Sequence, residues 1–140
     1  MVEKDKVLLV DDDPDILIAV GAVLEAHNLQ VVTAHDGAEA LVKLREERPD
    51  LMILDMLMPK MDGFGVLKAL KDRGFGSYAD IPIVVLSSVR PDASRRRYEL
   101  ETAISFDVDD YVEKPIDPTI LLDRIRRFLK KSRTSGQNET

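Results

Sequence analysis

Short apolar runs alternate with longer stretches of helical period along the whole chain. Val7-Leu8-Leu9-Val10, Val31-Val32-Thr33-Ala34, Leu51-Met52-Ile53-Leu54 and Ile83-Val84-Val85-Leu86 are too short for helices. Runs of that length predict strands, the third of them covered on both faces. A fifth, shorter strand is predicted over Asp110 to Lys114, ended by Pro115. After the first strand, Asp13 suits an N-cap and Pro14 the first helical position, where a missing N–H costs nothing. Ile16, Ala19, Val20, Val23 and Leu24 then make a core-facing stripe, with Gly21 marking a close approach to the sheet. Asp36 and Glu39 have capping-box spacing and open a second helix with Leu41 and Leu44 inward. Asp62 caps a third helix carrying Phe64, Leu67 and Leu70 inward, with Gly63 allowing the turn. A polar, arginine-rich fourth helix is expected between Pro91 and Phe106. Asp117-Pro118 repeats the cap-plus-proline start, and Ile120, Leu121, Ile125, Phe128 and Leu129 make the last helix amphipathic.

Strands and helices in strict alternation predict an α/β fold, a parallel sheet with helices on both faces. Right-handed crossovers leave few topologies, and the five-stranded doubly wound order 2-1-3-4-5 with five helices is the expectation. Its switch point lies between the first and third strands, and ligands of such sheets bind at the carboxyl ends of the strands.

Bulk properties narrow the function without naming it. At 140 residues and 44% apolar content the default is one domain with a real core. That domain is expected over residues 1–131, with 132–140 a polar tail or the start of a linker. A net charge of −6 with both signs interspersed excludes general nucleic-acid or membrane binding by the body of the chain. The absence of cysteine removes disulfides, thiolate metal sites and cysteine nucleophiles. The first six residues lack a signal-peptide pattern and no run approaches membrane-spanning length, so a cytoplasmic location is the simplest reading.

The chemistry gathers at one rim. The first strand ends in Asp11-Asp12, the third in Asp55, the fourth in Ser87 and the fifth in Lys114. A carboxylate at the end of an apolar strand is costly to bury unless paired or bound to a cation. Clustered carboxylates without histidine or cysteine favour a hard ion, and Mg²⁺ suits one or two of them plus a phosphate. A metal, a hydroxyl and a lysine around one carboxylate is the arrangement that stabilises charge on a phosphoryl group. Asp55 is then the nucleophile that becomes an acyl phosphate.

Over residues 5 to 130 the chain resembles the receiver (phospho-acceptor) domain of two-component response regulators, a flavodoxin-like fold. The resemblance rests on Val10-Asp11-Asp12, Pro49-Asp50-Leu51 through Asp55, Met58-Pro59-Lys60-Met61-Asp62-Gly63, Ser87, and Tyr111 through Lys114-Pro115. Each piece alone is weak, and together, in order and on the right elements, they are specific. The resemblance implies that Asp55 is phosphorylated from a phosphohistidine on a sensor histidine kinase or phosphotransfer protein. It implies Asp12 as the direct Mg²⁺ ligand, Asp11 acting through water, and the backbone carbonyl of Leu57 completing the protein ligands. Ser87 and Tyr111 match the switch pair, in which the hydroxyl moves to the phosphoryl group and the ring turns inward. The Lys114-Pro115 bond is expected to be cis. Such a domain assists its own phosphorylation and dephosphorylation and is not otherwise an enzyme.

Several residues have plainer readings. Asp13 and Asp62 are caps before they are ligands, and His27 and His35 have no acidic partner at ligand spacing, so both are expected at the surface. Met52, Met56, Met58 and Met61 are packing residues. The basic residues Arg95, Arg96, Arg97, Arg124, Arg126, Arg127, Lys130 and Lys131 mostly form a solvated face. Of the charged residues there, Asp109, Asp110 and Arg124 resemble positions used for dimer ion pairs on the face made by the fourth helix, fifth strand and fifth helix. Two departures from the family bear on the fourth helix: Asp107-Val108 replaces small residues before the fifth strand, and the segment from Ser87 to Tyr111 is longer than usual. Leu57 and Val89, two past Asp55 and Ser87, are apolar where the family controls water access, so the phosphorylated form is expected to be long-lived. A phosphohydrolase would want a second acid at Leu57, and a flavin carrier a hydroxyl- and glycine-rich loop where Asp11-Asp12-Asp13 stands. No output segment is recognisable after residue 131, so the chain is either a stand-alone receiver or the front of something longer.

Overall fold

A computed structural model of the chain describes residues 4–56, 58, 61–72, 80–87 and 108–129. Their elements are β1 (Lys6–Val10), α1 (Pro14–Ala26), β2 (Gln30–Ala34), α2 (Gly37–Glu47), β3 (Leu51–Asp55), α3 (Gly63–Asp72), β4 (Ile83–Ser87), β5 (Asp110–Glu113) and α4 (Pro118–Arg126). The five strands form one parallel sheet in the order β2-β1-β3-β4-β5, as the alternation of elements predicted. Four helices lie among the described residues. The helix expected between Pro91 and Phe106 and the tail over 132–140 fall outside them.

The period of two in each strand decides which helices cover which face. Val7 and Leu9 of β1, with Leu51 and Ile53 of β3, pack with Leu17, Val20 and Leu24 of α1 and Leu121 and Ile125 of α4. Leu8, Val10, Met52 and Leu54 point the other way, onto Leu41 and Leu44 of α2 and Val66, Leu67 and Leu70 of α3. β3 and β4 are buried along their whole length, which is why their runs carry no polar alternation. The buried line on α1 is Leu17, Val20, Gly21 and Leu24. Ala19, expected inward, is exposed. The stripe is rotated because Leu17 buries more apolar surface than Ala19 can, so it wins the central position. Gly21 is not a site of close approach either, since a Cβ there would meet only Val31 Cγ1, at an ordinary 3.9 Å.

The helix starts follow the local chemistry. Asp13 Oδ1 accepts the Asp15 amide at 2.9 Å and Asp117 Oδ1 the Thr119 amide at 2.9 Å, each ahead of a proline in the first turn. Asp36 Oδ1 accepts from Glu39 N at 2.9 Å, while Glu39 Oε1 reaches the His35 amide one residue further back than a capping box requires. The same Oε1 lies 3.1 Å from His35 Nδ1. His35 is exposed as expected but does have an acidic partner, on the helix-spaced pair 35 and 39. α1 ends with Asn28 in the left-handed region at φ 70, and the Leu29 amide returns to Leu24 O at 3.1 Å.

Candidate functional site

Strand register sets the site. Val10 pairs with Leu54, so Asp11 leaves β1 level with Asp55 at the end of β3. Ser87 pairs with Glu113, and the Lys114 amide donates to Ser87 O at 2.7 Å, which sets the lysine one step beyond the sheet. By pleat parity Asp11, Asp55 and Lys114 belong to the face of Val7 and Ile53, whereas Ser87 and Tyr111 belong to the opposite face. The Lys114–Pro115 bond is cis.

The acidic residues converge. Carboxylate oxygens of Asp11, Asp12 and Asp55 lie within 4.8 Å of one another. Asp11 is 0% and Asp55 1% exposed, while Asp12 faces solvent. Lys114 Nζ stands 3.0 Å from Asp11 Oδ2 and 3.4 Å from Asp55 Oδ2. Burial works against the ammonium. The Asp55 charge and the hydrogen bond and charge of Asp11 outweigh that, so the Lys114 pKa is held above the ordinary lysine value. Asp11 is also tied by its other oxygen, which accepts the Asp13 amide at 3.0 Å. Its Oδ2 is buried, and among the described residues the ammonium of Lys114 is the cation that faces it.

Among the described residues, Lys114 contacts two of these three clustered carboxylates. That donor set, all oxygen with two members buried and one open to solvent, fits a hard divalent cation such as Mg²⁺ and offers nothing to a soft one. Leu57, whose carbonyl was expected to join it, lies outside the described residues, as does Val89.

Ser87 is engaged elsewhere. Its Oγ is 2.5 Å from Tyr111 OH, and the Tyr111 ring packs half-buried against the face of Met52 and Val85. The acid–lysine cluster and the hydroxyl pair are thus two separate bonded groups at one rim. Asp110 and Arg124 form a third, and Asp109 is bonded separately to β4. Asp110 Oδ1 accepts from Arg124 at 3.0 Å and from the Tyr111 amide at 2.8 Å, while Asp109 Oδ2 accepts the Ile83 amide at 2.7 Å.

Sequence reasoning missed two roles. Asp13 orients Asp11 through its amide as well as capping α1. Gly37 and Gly63 stand where a Cβ would meet main chain at 2.5 and 2.6 Å. The signal available for the two glycines was the Asp-Gly pair at each helix start.

The family profile described as "Response regulator receiver domain" matches residues 7–126. The probable transcriptional regulator ycf27 of Cyanophora paradoxa is 37% identical over 98% of this chain and 56% of its own length. The alkaline phosphatase synthesis transcriptional regulatory protein PhoP of Bacillus subtilis is 34% identical over 91% of this chain and 49% of its own. The chain spans about half the length of these curated relatives. Among solved structures, chemotaxis protein CheY4 of Vibrio cholerae is similar with a TM-score of 0.76 at 31% identity, over 91% of this chain and 100% of that one.

Proposed function

The chain belongs to the response regulator receiver domain family, and from that premise we propose that Asp55 accepts a phosphoryl group and that its occupancy sets a signalling switch. The observation that carries this reading is Lys114 Nζ at 3.0 Å from Asp11 and 3.4 Å from Asp55, with Asp12 in the same cluster. The donor is a phosphohistidine on a sensor histidine kinase or phosphotransfer protein, and the location cytoplasmic. An Asp55 oxygen attacks phosphorus, the P–N bond breaks, and the imidazole leaves with a proton from solvent. Asp11, Asp12, Asp55 and the Leu57 carbonyl would hold Mg²⁺, whose charge offsets the carboxylates and the phosphoryl oxygens. Lys114 supplies the second positive charge, already poised between two of the acids. Water later cleaves the acyl phosphate in the same site, so the domain assists both its phosphorylation and its dephosphorylation.

Ser87 must exchange partners for the switch to act. Its hydroxyl leaves Tyr111 OH for a phosphoryl oxygen, and the freed ring reports the change to the β5–α4 face. A dimer through Asp109, Asp110 and Arg124 would require Arg124 to trade its own-chain Asp110 for a partner's acid. The regulator names of the relatives support a transcriptional output, in a longer chain or by contact with a partner.

The test is incubation with acetyl phosphate and Mg²⁺ followed by intact mass. Wild type should gain one phosphoryl group and Asp55→Asn none. An unmodified wild type would sink the reading, and rapid multiple turnover of phosphate esters would replace it with a phosphohydrolase.

A further inference from the structure

Asp36-Gly37 and Asp62-Gly63 open α2 and α3 in the same way, and neither glycine adopts a positive φ. Backbone freedom is therefore not what either position needs. Close approach is. A Cβ on Gly37 would stand 2.5 Å from Met61 O, 2.7 Å from Met61 Cγ and 2.8 Å from Val66 Cγ2. The first amides of a helix have no partner inside it. At Gly37 that amide is spent outside, donating to Met61 O at 2.9 Å. Two residues on, the Gly63 amide donates to Met56 O at 3.2 Å, and a Cβ there would meet Asp55 O at 2.6 Å and Met56 Cα at 2.7 Å. The start of α3 rests on the main chain of Asp55 itself, and the start of α2 rests on the residue leading into α3.

We propose that Gly37 is a positioning residue for the phosphoryl acceptor: without a side chain it lets α2 clamp the main chain at Met61, which through Gly63 and Met56 sets where Asp55 stands against Asp11, Asp12 and Lys114. This rests on the reading of Asp55 as the acceptor. The clamp is a main-chain contact, so a neighbouring side chain cannot move aside to admit a methyl group. A displacement of a few tenths of an ångström at the reacting carboxylate then lowers the phosphorylation rate about tenfold, within the sensitivity known for misplaced reacting groups. Gly21 is the matched control, because a methyl group there meets nothing closer than 3.9 Å.

The experiment uses the whole chain at a temperature well below melting, with wild type, Gly37→Ala, Gly21→Ala and Leu41→Ala. Two quantities are measured: the rate of phosphorylation by acetyl phosphate across a Mg²⁺ titration, and the amide resonances of Asp55 and Met56 in ¹H–¹⁵N spectra. Gly37→Ala should be slower about tenfold, need more Mg²⁺ for half its maximal rate, and shift both resonances. Leu41→Ala, a core truncation on the same helix, should lose stability and keep the wild-type rate and Mg²⁺ requirement. If Gly37→Ala does not fold, Gly37→Ala with Met61→Ala relieves the Met61 side-chain contact, leaves those with Met61 O and Val66 Cγ2, and should show the same slowing. A folded Gly37 variant with wild-type rate and unmoved resonances overturns the proposal, and so does Leu41→Ala slowed to the same extent. If wild type takes up no phosphate while Gly37→Ala alone moves the Asp55 and Met56 resonances, the positioning stands and the acceptor reading falls.

Discussion

At the scale of single residues, the rim is a competition for partners. Lys114 is drawn between two buried acids, and its folded pKa lies above the ordinary lysine value. A group with a raised folded pKa stabilises fully below its unfolded pKa, and that stabilisation is lost as pH climbs through the folded one. In chelator-treated protein, stability should therefore fall as pH rises past the ordinary lysine range, and Lys114→Met should flatten that fall in denaturant melts taken at a series of pH values. Ser87 gives a second residue-scale expectation. Its bond to Tyr111 OH holds the hydroxyl in a different contact from the phosphoryl one proposed for the switch. A hydrogen bond of this kind is worth about 0.5–1.5 kcal/mol. Tyr111→Phe should release it and speed acetyl-phosphate labelling a few-fold by intact mass; a slower variant would show that the phenol assists and does not compete.

At the scale of elements, stability follows burial and caps. Leu44 is 1% exposed on the inner line of α2, so Leu44→Ala should cost about 2–5 kcal/mol in urea unfolding, cavity included. Asp36→Ala removes an acceptor for the Glu39 amide and should cost about 1 kcal/mol by the same measurement. The strands and caps were legible because their signals are local: a run of apolar residues, an aspartate, a proline or glycine next to it. The inner line of α1 was less so. Ile16, Leu17, Ala19, Val20 and Val23 fit more than one stripe, and which line turns inward is decided by contact with α4 and β1, not by period alone. The helix expected over 91–106 falls outside the described residues.

At the scale of the whole molecule, a ligand that binds only the folded site stabilises it by mass action, by about 2.7 kcal/mol at a hundredfold excess over its Kd, and so raises the melting temperature. Mg²⁺ should raise it in wild type. Asp12→Asn should raise the metal-free melting temperature by relieving repulsion among the acids, and shrink the Mg²⁺-induced rise in the same calorimetric scans. An Asp12→Asn rise equal to wild type would remove Asp12 from the ion site. Dimerisation belongs to this scale as well. Sedimentation with an acyl-phosphate mimic should show a heavier species if Arg124 exchanges its own-chain Asp110 for a partner's acid, and no change of mass would leave that ion pair a purely internal one.

By itself the sequence determined the alternation of strands and helices, the parallel sheet order, the caps, and the convergence of Asp11, Asp12, Asp55, Ser87 and Lys114 at the strand ends. Those follow from period, propensity and a small set of allowed topologies. Only the tertiary structure decided the pairings: Lys114 with Asp11 and Asp55, Ser87 with Tyr111, Asp110 with Arg124, Gly37 with Met61. Each of these joins residues beyond the reach of local periodicity, across strands, between a strand and a helix, or between a helix start and a loop. Several partners of the right chemistry are available to each group. Register, pleat parity and close packing choose among them, and none of the three is written in any one segment.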